Sequence, residues 1–435
     1  MRDTPRRSFL KSSLAASAAP LFIPASVLFG SNRPSNRLTL GFIGVGGHGT
    51  NYNLKHFLSQ EDCRAVSVCD AYQDRMERAS QLVNETYGDE GCRMISDFRE
   101  ILADRSVDAV VISTPDHWHI PMSLLALEAG KHVFCEKPTY RIGEGRDLID
   151  LVNKTGLTFS TGLEDRSMIK YHKLVEWERN GAIGELFHAE VTLPPGTIQP
   201  ADDPAPVPDG LNWEMWLGPA PFREYTPTTT GWLNWRYIRD FSTGVLTDWG
   251  THLCDTGQLA INDPYGCAVS CKAWGQPVPA GSQSDIPAIY EVHYTYSNGK
   301  TMSVKNSEGA EWMGQKASIR LLGTKGWVAV NGWNGTFAAS DRAILRERYE
   351  PDQSKHWSLP KGEHRNFLDS IKASKKPTYP ADTLHELSTT LHMGLMAMDL
   401  GRAVLFDPVD EVFINDSEAN QFLRRGSMRE AWKST

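Results

Sequence analysis

Leu38-Thr39-Leu40-Gly41-Phe42-Ile43-Gly44-Val45-Gly46-Gly47-His48-Gly49 is a short apolar run followed at once by four glycines in six residues. The run reads as a β-strand and the glycines as the entry to a helix. Gly44, Gly46 and Gly49 therefore form G-x-G-x-x-G in the strand-to-helix turn where that spacing carries meaning. The first glycine permits the tight turn, the second lets a pyrophosphate approach the backbone, and the third lets helix and strand pack closely. The helix N-terminus adds free N–H groups and positive partial charge for the phosphates. Asp70 closes the next apolar run, residues 64–69. A carboxylate there accepts hydrogen bonds from ribose hydroxyls and repels a 2′-phosphate, which favours NAD over NADP; Arg75 is near enough in sequence to keep NADP open.

Outward from this turn, apolar runs at residues 107–113, 131–135 and 157–160 alternate with amphipathic stretches. That is the βα rhythm of a doubly wound parallel sheet covered on both faces, a Rossmann domain over residues 34–165. Beyond it the rhythm changes. Helices are expected at 169–180, 247–261, 363–374 and 383–404, and strands at 185–193, 289–296, 301–306, 317–322 and 327–330. Residues 194–227 are a Pro-rich excursion, and residues 166–435 form an α+β domain. The 435 residues suit two domains, and 40% hydrophobic with 23% charged residues is a globular balance. A net charge of −8 without a concentrated basic patch argues against a nucleic-acid partner.

Residues 1–33 stand apart. Arg6-Arg7-Ser8-Phe9-Leu10-Lys11 and the apolar stretch after it fit a twin-arginine export signal, with a periplasmic or cell-envelope destination. Pro20 and Pro24 count against a membrane span there. The seven cysteines form no disulfide framework and no paired zinc motif, so free thiols are expected, as in a protein folded before export.

Three further stretches fall where a parallel sheet binds ligands, at its carboxyl edge or beyond. Thr114 and Pro115, with His119 beyond, follow the 107–113 strand; a zinc site is not expected here or elsewhere. Glu136-Lys137-Pro138 closes the next strand, and its lysine is placed to steady an oxygen that becomes anionic as hydride leaves its carbon. Asp248, His252 and Asp255 fall on one helix face at i, i+4 and i+7. Asp248 can then orient His252 as a base suited to neutral pH. A helix in which Asp248 only caps and His252 only packs has the same spacing and stays open.

Taken together, the glycine turn, Glu136-Lys137-Pro138 and Asp248-x-x-x-His252-x-x-Asp255 resemble the glucose-fructose oxidoreductase / inositol dehydrogenase (Gfo/Idh/MocA) family, in its exported twin-arginine branch. The resemblance spans about residue 38 to the end of the chain. It implies an open-faced, mostly antiparallel sheet in the second domain and hydride transfer between a nicotinamide and a secondary hydroxyl of a sugar, glycoside or cyclitol. It makes Lys137 and His252 the catalytic pair with Asp248 in support, and implies a homodimer or homotetramer; Gly44, Gly46, Gly49, Asp70, Thr114, Pro115, His119 and Glu136, at the glycine turn and the carboxyl edge of the sheet, are the expected cofactor contacts. Trp213, Trp216, Trp232, Trp235 and Trp249 offer flat faces for a sugar ring, and Arg166, Arg236, Tyr237 and Asp255 offer polar contacts. Two other functions remain. One is a redox-neutral glycosidase that oxidises, eliminates and re-reduces on a tightly held cofactor; the other is a non-catalytic sugar-binding relative.

Overall fold

The computed structural model describes residues 37–231, 234–306, 317–350, 359–426, 428, 429 and 432. The segment read as an export signal, and Trp232, lie outside the described residues.

Six strands, β1 (Leu38–Ile43), β2 (Cys63–Cys69), β3 (Arg93–Ile95), β4 (Ala109–Ile112), β5 (His132–Cys135) and β6 (Phe159–Thr161), form the first sheet in the order β3-β2-β1-β4-β5-β6. All pairings are parallel. Every residue of β4 is buried, as a strand with helices on both faces requires. The strand order reverses between β1 and β4, which opens a crevice at their carboxyl ends. β3 was not expected from sequence because Arg93 and Met94 are exposed at the sheet's edge and leave no apolar run.

Among the described residues the second sheet has nine strands: β7 (Leu186–Thr192), β8 (Ser270–Gly275), β9 (Tyr290–Thr295), β10 (Thr301–Lys305), β11 (Ser318–Gly323), β12 (Gly326–Asn331), β13 (Thr336–Ala339), β14 (Val404–Asp407) and β15 (Val412–Phe413). Their order is β13-β12-β11-β7-β10-β9-β8-β14-β15, and only β7 and β10 run parallel. Along β9, Tyr290, Val292 and Tyr294 are buried while Glu291, His293 and Thr295 are exposed. The inner face packs on helices Val245–Ile261 and Ala381–Leu400 through Leu253, Cys254, Leu387 and Leu391. The outer face is open and carries Phe187 and Trp274, each about half exposed.

Two boundaries differ from expectation for a backbone reason. The helix expected to reach residue 404 stops at Leu400, because Gly401 takes a left-handed φ of 62° and Val404 then joins β14. The helix carrying His252 starts at Val245, directly after Gly244 with φ 84°. Helix Glu363–Ala373 returns to the first sheet, where Phe367 and Leu368 pack with Phe42, Phe57 and Phe134. All seven cysteines are buried and unpaired. No described helix is long and apolar enough to cross a membrane.

Candidate functional site

Gly44 has φ 83°, and a Cβ on it would lie 2.6 Å from the Ser113 carbonyl. A Cβ on Gly49 would lie 2.0 Å from the Gly44 oxygen, so turn and helix can meet only without side chains. Asp70 pins the turn: Val45 N–H donates to Oδ2 and Tyr72 N–H to Oδ1, each at 2.9 Å. Burial raises the Asp70 pKa against the pull of Arg75. The Arg75 guanidinium lies 4.0 Å over the Tyr72 ring and 3.9 Å from Asp70, above the second glycine.

A cavity of about 770 Å³ runs over this turn, with Asp70 and Arg75 at the β2 side of the crevice and Lys137 at the β5 side. Thr114, Pro115, His119 and Glu136 border it. The residues fit a dinucleotide: a glycine turn with no room for a Cβ at Gly44 or Gly49, a carboxylate, Asp70, just after β2 on the cavity wall, and a buried Thr114 hydroxyl without a partner among the described residues. His119 is committed elsewhere, since its two ring nitrogens lie 3.0 Å from the carbonyls of Pro138 and Thr114, so it clamps the loops after β4 and β5. The Lys137-Pro138 bond is cis. Glu136 accepts from Asn53 at 2.9 Å and pairs with His48 at 2.8 Å, which ties the β5 loop to the glycine turn. Burial pushes the Glu136 carboxyl up, but His48 and Lys137 outweigh it and hold it below the usual range.

At the β5 side, the chemistry-bearing groups of both sheets meet. The buried Lys137 ammonium donates to Asp248 Oδ1 at 2.6 Å and to the Asp248 carbonyl at 3.1 Å. Two of its three N–H groups are thus engaged and one is left. Arg236 lies 3.1 Å from the same Asp248 oxygen, 3.3 Å from Asp116 and 4.5 Å over the Trp235 ring. Burial raises the Asp248 carboxyl, but Arg236 and then Lys137 reverse this and keep it ionised. His252 borders the cavity, with Trp333 edge-on at 4.9 Å. Burial, then the Lys137 charge, holds its imidazole down to about 3, so it is neutral at neutral pH. That is a weaker base than the spacing suggested.

Several sequence expectations change here. Asp248 holds Lys137 and Arg236, and the carboxylates within 4 Å of His252 Nδ1 are those of Asp165 and Glu164. Side chains at i and i+4 are neighbours, but a buried ammonium and guanidinium are stronger partners for a carboxylate than a neutral imidazole. Arg166 and Asp255 do not border the cavity: they form a buried two-pronged pair at 2.7 Å and 2.7 Å. Tyr237 is turned to the core of the second sheet and does not border it either. Trp235, Arg236, Trp216 and Trp249 do, whereas Trp213 packs on Trp216 in a separate apolar cluster. Sequence reasoning missed Trp333, Glu164 and Asn53. A tryptophan within Asn331-Gly332-Trp333-Asn334-Gly335, a turn otherwise built of small polar residues, was a signal; a Glu-Asp pair after a strand was not.

Comparison with known proteins agrees with the two-part fold. Residues 38–163 match the "Oxidoreductase family, NAD-binding Rossmann fold" and residues 199–434 the "Oxidoreductase family, C-terminal alpha/beta domain". Glycosyl hydrolase family 109 protein 1 of Shewanella sp. (strain MR-4) is 28% identical over 409 residues, 87% of this chain and 82% of that protein. Glycosyl hydrolase family 109 protein 2 of Shewanella sp. (strain ANA-3) is 32% identical over 213 residues; that match covers 42% of this chain and spans only 45% of the relative. Among solved structures, the WlbA dehydrogenase of Bordetella pertussis, in complex with NADH and UDP-GlcNAcA, superposes with a TM-score of 0.62 at 17% identity over 86% of this chain and 98% of that one, a likeness of fold.

Proposed function

Because the chain belongs to the Gfo/Idh/MocA oxidoreductase family, we propose that it transfers hydride between a nicotinamide cofactor and a secondary hydroxyl or ketone of a sugar, glycoside or cyclitol. One observation carries this reading: the imidazole of His252 and the ammonium of Lys137 border the same cavity as the glycine turn. Bound NAD supplies the hydride acceptor. His252 is neutral and takes the hydroxyl proton; with Nδ1 turned to carboxylates, Nε2 is the nitrogen left for the substrate. Lys137 donates its remaining N–H to the same oxygen and opposes its developing charge. Asp248, shared with Arg236, fixes that ammonium. Asp70 favours NAD over NADP by its carboxylate. Trp235, Trp249 and Trp333 offer ring faces for the sugar.

The relatives named glycosyl hydrolases favour a second reading with the same first step. In it the ketone acidifies the neighbouring C–H, the glycosidic bond is eliminated, and the retained reduced cofactor restores the hydroxyl. Export through the twin-arginine signal suits a protein that folds around its cofactor and keeps it. The half-exposed Phe187 and Trp274 on the open sheet face support assembly into a homodimer or homotetramer.

The test starts with the purified protein, denatured and analysed by mass spectrometry for released dinucleotide. NAD at close to one per chain is expected, and its absence even after incubation with NAD rejects the reading. Aryl glycosides then separate the two reactions. A dehydrogenase accumulates reduced nicotinamide and leaves the phenol attached; a redox-neutral glycosidase frees the phenol with no net reduction. His252→Ala and Lys137→Ala should each lower turnover by roughly 10²–10⁴-fold with NAD still bound.

A further inference from the structure

The hydride-transfer reaction, on which this inference rests, delivers a proton to His252, and the structure provides a place for it to go. His252 Nδ1 is buried and has no well-aligned hydrogen-bond partner among the described residues. Two carboxyl groups from the turn Glu164–Ser167 face it, Asp165 Oδ1 at 3.5 Å and Glu164 Oε2 at 3.6 Å. That turn is fixed from beneath by the Arg166–Asp255 pair and by the Ser167 hydroxyl on Tyr379.

The two acids differ. Asp165 is fully enclosed, and neither of its oxygens has a hydrogen-bond partner among the described residues. Burial, followed by the neighbouring Asp255 and Glu164 charges, raises its pKa well above the usual value. Glu164 borders the cavity, and its side chain keeps about a quarter of its surface open (24%). Facing it are Glu136 and Lys137 from the β5 loop, Glu363 from helix Glu363–Ala373, His252 itself, and His48 and Tyr52 beside the glycine turn. Tyr52 donates to Glu363 at 2.6 Å. Burial, then Glu136 and Glu363, brings Glu164 up to about 7, against about 3 for His252. A proton shared between them rests on the carboxylate.

We propose that Glu164 is the proton acceptor behind His252, acting through the imidazole. The substrate O–H breaks and an N–H forms at Nε2, while the Nδ1–H breaks and an O–H forms on Glu164 Oε2. The imidazole ends neutral, as it began, and the carbon's two electrons leave with the hydride to bound NAD. Cavity water then takes the proton from Glu164. In the reductive direction Glu164 supplies it.

The experiment is a pH titration of the NAD-loaded full chain carrying ¹⁵N-histidine, with the His252 ring signals assigned by their loss in His252→Gln. Those signals should shift with a midpoint near pH 7, as Glu164 changes charge beside them. The step should vanish in Glu164→Gln, survive in Asp165→Asn and return, displaced, in Glu164→Asp. A step that persists in Glu164→Gln overturns the proposal. If Glu164→Gln does not fold, the wild type decides: infrared difference spectra should show a carboxylic acid C=O band lost with the same midpoint, and a flat spectrum there overturns it. Turnover of some sugar without this step would leave the hydride-transfer reading standing and remove the relay. The step without turnover on any sugar would do the reverse.

Discussion

Asp248 gives one oxygen to two cations, Lys137 at 2.6 Å and Arg236 at 3.1 Å, and all three side chains are largely buried. Loss of that anion would leave an ammonium and a guanidinium enclosed with too little counter-charge. Asp248→Ala should therefore cost about 3–5 kcal/mol of folding stability, typical of one partner removed from a buried pair, and abolish turnover as well. Thermal unfolding of the NAD-free protein checks it; a midpoint equal to the wild type would show that Asp248 does not hold these cations together. The glycine turn is a second residue-scale case. A methyl on Gly49 has no room, with the Gly44 oxygen 2.0 Å away, so Gly49→Ala should weaken NAD binding at least tenfold in calorimetry. Both residues were legible in sequence, but to different depths. Gly49 is determined by its own neighbours. The partner of Asp248 comes from Lys137, more than a hundred positions earlier, so helix spacing alone pointed to His252 instead. For the same reason Arg166 and Asp255 looked like substrate ligands until the fold paired them.

At the scale of elements, helix Glu363–Ala373 joins the end of the chain to its beginning. Arg365 donates to both oxygens of Asp62 at 2.8 and 2.9 Å, and Lys372 adds a third contact. Burial raises the Asp62 carboxyl, but these hydrogen bonds outweigh it and bring it down to about 2 from 3.8. A folded-state value below the unfolded one stabilises the protein above pH 4, and that contribution is lost as pH falls through 2. Asp62→Asn should thus lower stability by about 2 kcal/mol at pH 7. The difference should close near pH 2. Urea unfolding at both pH values measures it, and a gap unchanged at pH 2 would contradict the assignment. The long strands and helices of the chain were readable because their apolar period is unambiguous. β8, β13, β14 and β15 were not, being short or only half buried, and paired by residues distant in sequence. The π-helical turn Gly49–Leu54 was also hidden, since Asn53 is drawn inward by Ser113, Glu136 and His364 from three separate segments.

On the scale of the whole molecule, the first sheet supplies the cradle and Lys137, helix Val245–Ile261 packed on the second sheet supplies His252 and Asp248, and the β12–β13 turn of that sheet adds Trp333 to the cavity wall. Sequence motifs identified the two contributors; that the β12–β13 turn would reach the imidazole depends on the curvature and order of nine strands. Trp333→Ala removes one aromatic face from the substrate end alone. KM for the sugar should rise roughly 2–10-fold, the worth of one aromatic contact, with NAD affinity unchanged. Equal losses of both would mean that the hairpin supports the fold and not the substrate. For hydride transfer to take place here, Lys137 and His252 must converge on the reactive end of a dinucleotide seated on the glycine turn. A crystal structure of the NAD-saturated protein tests it most directly. It should show the adenosine ribose on Asp70, the pyrophosphate over Gly46 and the nicotinamide ring beside both side chains; a nicotinamide directed away from them, or a dinucleotide bound outside this cavity, would contradict the account.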